Sequence, residues 1–257
     1  MTLRLSTGTR NAINSSLGFA GAFNHGTINI YSGTQPATAD SAVTGTLLGV
    51  VTLSSATLTR EVQASQTITV AGASGSVNTV LVSTLNIIPD GAVPFRVDAA
   101  TTASDLCDAI NRNGLFTATV AAAVVTVKPR PGAGATYNAV AFATTATTLT
   151  ATVGAATLSG GVSAINALGF GSSAAGAIGK PANAVWSFSG AAAGTAGWFR
   201  MVGSIDDAGA AIVAAPYLCR IDGSIATTGG DMNLSNTVIA VAAPNTIDSF
   251  TWTTPAA

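Results

Sequence analysis

The sequence is poor in charge. Charged residues make up 8% of its 257 positions, against roughly a quarter in an ordinary soluble domain. Two lysines and eight arginines stand singly, with no basic cluster, so nothing here supplies the electrostatic footprint of a nucleic-acid binder. There is one histidine, His25, and one glutamate, Glu61. Transition-metal sites draw on clustered His, Cys and carboxylate ligands, and the chain lacks the residues to build one. The only cysteines, Cys107 and Cys219, are far apart and form no C-x-x-C. They read as two buried free thiols, with a bridge left open. No run of about 20 apolar residues occurs, so no membrane-spanning helix is expected. "MTLRLSTGTRNAINSS" has no apolar core of a secretory leader, and none is expected.

What fills the chain instead is Ala, Thr, Ser and Gly, with 48% hydrophobic residues overall and a net charge of -1. This is far from the composition of a disordered chain. Solubility normally leans on net charge well away from zero. A near-neutral, hydroxyl-rich chain suits a protein packed against copies of itself or against a partner.

"STGTRNAINSSLGFAGAFNHG" is the first helix candidate. Ser6 or Thr7 caps it, Ile13, Leu17 and Ala20 repeat at helical spacing, as do Phe19 and Phe23, and Gly26 stops it. "TINIYSG" is a strand with Ile28 and Ile30 on one face and Tyr31 on the other. "SGTQPATAD" is a turn-rich loop broken by Pro36, and "GTLLGVVTLSS" resumes as a strand. From residue 62 to 161 the pattern changes to β-β-α-β-β. "QTITV" and "TVLVSTLNII" are strands, "TTASDLCDAINRNG" is a helix capped by Thr or Ser, and "FTATVAAAVVTVKP" is a hairpin. Beyond it, short strands and turns resume. The chain therefore divides into a discontinuous main domain, 1–61 and 162–257, read as a jelly-roll-like β-sandwich with an N-terminal helix, and an inserted α+β domain, 62–161.

Chemistry is hard to place on this sequence. His25 sits at a helix end beside Gly26, no G-x-S-x-G occurs, and a helix-terminal histidine favours the carbonyl end without catalysis. "DGSIATTGGDMN" lacks the central Gly and the final Glu of a calcium loop, so Asp222 reads as a turn aspartate, as do Asp206, Asp207 and Asp40. No carboxylate pair can be placed for glycoside hydrolysis. In "GTAGWFRMVG" the two-residue period puts Phe199 and Met201 on one face and Trp198, Arg200 and Val202 on the other. Trp198 and Arg200 read either as an interface anchor or as a half-buried pair covering each other on the monomer's own surface.

"INIYSGTQPATADSAVTGTLL", "AGWFRMVG", "RIDGSIATTGGDMNLSNTVI" and "TIDSFTWTTP" together resemble structural proteins of tailed bacteriophages, most closely the capsid cement or decoration proteins. The resemblance covers Leu3 to Leu58 and Ile165 to Pro255. Residues 62–161 resemble a different module, inserted in phage head and tail proteins and absent from shorter relatives. What the resemblance implies is a non-enzymatic virion protein. It would be made in the host cytoplasm and carried on the outer capsid surface. Its partners would be the major capsid protein and other copies of itself, as a homodimer or homotrimer. No cofactor, metal, nucleic acid, membrane or small-molecule substrate is expected. Arg4, Arg10, Tyr31, Gln35, Pro36, Trp198 and Arg200 are the candidate contact residues. A tail component and a carbohydrate-binding or depolymerising virion protein are the alternatives.

Overall fold

The computed structural model describes residues 3–14, 18–54, 56–212 and 218–253. The fold is mainly β and sandwich-like, with strands in 41% of the chain and helix in 13%. It divides into two compact units, one formed by Met1–Glu61 with Ala164–Ala257, the other by Val62–Ser163. The second boundary falls two residues later than the sequence pattern placed it.

The discontinuous unit is built on one antiparallel sheet. Its strands run in the order Arg4–Leu5, Arg220–Ala226, Gly194–Val202, Thr27–Ser32, Leu47–Val51. Ile28, Ile30, Phe199, Met201 and Ile221 share one apolar core with Trp186, Phe188 and Ile247 of a two-stranded pair and with Ile178 of another. Phe19 and Phe23, one helical turn apart, close this core with ring centroids 5.0 Å apart. Register in the central strand is set by a bulge between Ala196 and Trp198. The extra residue is Gly197, where a Cβ would lie 2.2 Å from the Gly33 carbonyl oxygen. A bulge reverses the phase of the pleat. Ala196 therefore joins the apolar core with Phe199 and Met201, while Trp198 points to the other side.

The single N-terminal helix expected from spacing is instead two, Thr7–Asn14 and Gly18–Phe23. Gly18 takes φ +61°, a left-handed conformation that no helix continues through. Leu17 lies outside the described residues, and Ile13 is 37% exposed rather than part of the buried stripe. Ser6 is the N-cap, its hydroxyl accepting from the Thr9 amide at 3.1 Å.

In the continuous unit the order is Gln66–Ala71, Ser76–Val82, Leu85–Asn86, Val93–Pro94, the helix Ala99–Asn111, the hairpin Phe116–Ala121 and Val124–Pro129, then Phe142–Thr147 and Thr150–Val153. The stretch expected as one strand, "TVLVSTLNII", is broken by Ser83 at φ 55°, which turns Leu85 back onto Val82. The helix begins at Asp98 rather than at a Thr or Ser. The Asp98 carboxylate accepts from the Thr101 amide at 2.7 Å. Ala103, Leu106 and Ile110 on the helix bury against Ile68, Phe116, Val125 and Val127.

Candidate contact loop and the ionic network beneath it

Cross-strand register assembles one polar row on the face of the main sheet opposite the apolar core. Asn29 lies opposite Arg200, Arg200 opposite Asp222, and Asp222 opposite Arg4. The next row places Tyr31 beside Trp198, their rings stacked at 4.5 Å, and the Arg200 guanidinium sits 5.5 Å from the Trp198 ring centroid.

This face is not wet. Trp198, Arg200 and Asp222 are 0% exposed. Arg200 and Asp222 form a two-pronged pair, Nε to Oδ1 and Nη2 to Oδ2, both at 2.7 Å. Arg220 pairs with Asp207 in the same way, with both bonds at 2.6 Å. Burial is the largest influence on Asp222 and pushes its carboxyl up. The hydrogen bond and charge of Arg200, with the charges of Arg220 and Arg4, pull against it. Burial also raises the Tyr31 phenol, against a hydrogen bond from Asn29. Taking two charges out of water costs several kcal/mol each, so such pairs specify an arrangement more than they stabilise it.

What they specify is the course of the loop between Ser32 and Leu47. Three arginines donate to its main-chain carbonyls. Arg4 donates to Pro36, Arg200 to Ser41 at 3.1 Å, and Arg220 to Ala39 and Ser41 at 3.4 Å each. Asp40 then caps the first helix. Its carboxylate accepts from the Thr7 amide at 3.1 Å and the Thr7 hydroxyl at 2.8 Å. A negative charge there suits the positive end of the helix. The loop is also laced to the chain after the central strand, Val43 N–H to Gly209 O at 2.8 Å and Ile212 N–H to Asp40 O at 2.8 Å. Thr34, Ala37, Thr38, Ala42 and Thr44 point into solvent from this fixed frame.

Five of the seven expected contact residues therefore need correction. Trp198, Arg200, Tyr31, Gln35 and Pro36 are all buried within this unit. Trp198, Arg200 and Tyr31 lie beneath the loop, and Gln35 and Pro36 are its inward-facing residues. Arg4 is half-buried and spends its guanidinium on Pro36. Arg10 is exposed and donates to Thr7 at 3.0 Å. The turn readings of Asp40 and Asp222 are likewise replaced, by a helix cap and a buried pair, and Asp207 gains a buried pair with Arg220. Asp207 also keeps a turn bond to the Gly209 amide. Asp206, its side chain 78% exposed, lies 3.8 Å from Arg60, distant in sequence, whereas Asp231 accepts from the nearby Ser224. Sequence alone pointed to Arg200 through its strand period. It carried no signal for Arg220 or Asp207, whose pairing joins a strand to a loop.

His25 is exposed at φ 62°, its amide donating to the Leu168 carbonyl. Among the described residues no group of three His, Cys, Asp or Glu could hold a metal ion. Cys107 and Cys219 are both buried and are not joined in a disulfide. Trp186 and Trp198 are fully buried, which removes two of three stacking platforms for a sugar. The third, Trp252, stacks on Phe19 at 4.9 Å beside a cleft of about 470 Å³. The cleft is lined by Gly18, Ala20 and residues 173–178, with no acidic side chain among them. No helix among the described residues is long and apolar enough to cross a membrane.

No protein-family model matches the chain, and no curated protein is significantly similar to it.

Proposed function

We propose that the chain is a non-enzymatic structural protein of a tailed-bacteriophage virion, which binds the major capsid protein on the outside of the shell and cements it. The observation that carries this reading is the loop between Ser32 and Leu47. Its main chain is held by three arginines, Arg200 and Arg220 buried and Arg4 half-buried, while its small, uncharged side chains face outward. A surface fixed before contact avoids the ordering cost of roughly 0.5–1.5 kcal/mol per immobilised side chain. Uncharged residues suit the dry centre of an interface, where charges are depleted. One specific contact buries on the order of 1,600 Å², and repetition around a shell turns modest contacts into avidity.

The test is co-sedimentation of the purified protein with shells assembled from the major capsid protein of the same phage. Saturable binding in fixed ratio to the capsid lattice is expected. Thr34→Lys and Ala37→Lys place a charge on the outer rim of the loop without touching the network. They should weaken binding about tenfold, which is 1.4 kcal/mol, with an unchanged melting temperature. Co-sedimentation with tail tubes and not with shells would replace this reading with the tail-component one.

A further inference from the structure

Sheet edges expose a row of main-chain donors and acceptors, and proteins must close them or pair them. In the continuous unit the strand Phe116–Ala121 lies at the edge of a four-stranded sheet, next to Val124–Pro129 alone. Leu115, one step before this strand, accepts from the Arg130 amide on the inner side at 2.9 Å. By the alternation of an antiparallel ladder, Phe116, Ala118 and Val120 then turn their N–H and C=O groups outward. At the middle of the three, both groups are taken by one side chain. Asn111 Oδ1 accepts from the Ala118 amide at 2.9 Å, and Asn111 Nδ2 donates to the Ala118 carbonyl at 3.1 Å. Asn113 Oδ1 accepts from Phe116 at 2.8 Å.

We propose that Asn111 is a plug that closes the Phe116–Ala121 edge against strand addition by a second copy of this chain. A neighbouring antiparallel strand would offer Ala118 one acceptor and one donor. An Asn side chain carries the same two groups on one planar amide, which a hydroxyl or a carboxylate does not. The helix fixes the plug, since Asn111 is its last residue and Nδ2 also touches Cys107 Sγ at 3.5 Å. The excluded partner is a second copy because this edge is complementary to itself. A two-fold axis through Ala118 would set Phe116 against Val120 in an isologous pair. With Asn111 in place the centre of that register is occupied, and what lies beyond it is only Val120, 39% exposed. Any self-association of the protein then has to use other surfaces, a consequence independent of what the protein binds in a virion.

The test uses the full chain. Asn111→Ala frees both groups of Ala118, and sedimentation equilibrium should show self-association about tenfold or more stronger than in the wild type, since each net hydrogen bond contributes on the order of 1 kcal/mol. Adding Ala118→Pro removes the outward N–H at an edge position that tolerates proline, and association should return to the wild-type level. Wild-type association in a folded Asn111→Ala protein overturns the proposal. A measurement needing no variant guards against misfolding. In wild-type protein the Ala118 amide should exchange with solvent at least tenfold more slowly than that of Val120, and equal rates overturn the proposal too.

Discussion

Arg200 and Asp222 each give up their water under the loop and are held by each other, a loop carbonyl and an aromatic face. Removing one partner leaves a buried charge alone. Asp222→Ala should therefore destabilise the discontinuous unit by about 3–5 kcal/mol, whereas Arg200→Met with Asp222→Leu should recover most of that loss or exceed the wild type. Urea midpoints of the three variants measure both. The second residue-scale prediction concerns Cys219, whose thiol burial pushes up to about 11 from an ordinary value of 9.0. The folded state holds the neutral thiol, so its contribution is complete below pH 9. It is lost as pH rises from 9 towards 11, where the unfolded thiol ionises and the folded one does not. Alkylation by iodoacetamide at pH 8 should be far slower in native than in unfolded protein. That Trp198 and Arg200 share a strand face was legible in the period of two. That this face is dry was not, because its cover comes from residues more than 150 positions away, around Pro36 to Ser41.

At the scale of elements, caps and edges are carried by side chains outside the element they serve. Asp40 caps a helix that begins 33 residues earlier, and Asp40→Ala should cost about 1 kcal/mol together with faster exchange of the Thr7 amide. Asp98 caps the longer helix from next door. The Thr101 amide hydrogen bond holds its carboxyl below the usual carboxylate range. A lowered carboxyl stabilises the fold above its unfolded value near 4 and loses that contribution as pH falls through the folded one. The gap in urea midpoint between wild type and Asp98→Ala should then be widest near neutral pH and close below about pH 4. Ser6 was visible as a cap because it precedes its own helix. Asp40 was not, because nothing local connects it to Thr7.

At the scale of the whole molecule, each unit closes its own ends. Thr59 and Ile165 exchange two main-chain hydrogen bonds at 3.1 Å within the discontinuous unit. Val62 and Val162 do the same in the continuous one, at 3.0 and 2.8 Å. Residues paired in this way lie about 5.5 Å apart at Cα, a gap a short Gly-Ser link spans. Replacing 62–163 by such a link should leave a discontinuous unit that melts in one cooperative transition, and residues 62–163 expressed alone should fold with the dispersed amide spectrum of a β-rich domain. An aggregated or unstructured product in either case would contradict two independently closed units.

By itself the sequence determined the mainly β character, the start of the second unit at residue 62, the helix on that unit and the period that sorts Phe199 and Met201 from Trp198 and Arg200. All of these follow from local propensity and periodicity, which act within a few residues. Only the tertiary structure decided which polar face is buried, which aspartate meets which arginine, and how the loop between Ser32 and Leu47 is held. Those outcomes depend on strand register and on groups brought together from opposite ends of the chain. In the central strand register is set by a bulge at Gly197, whose extra residue reverses which side chains meet the core.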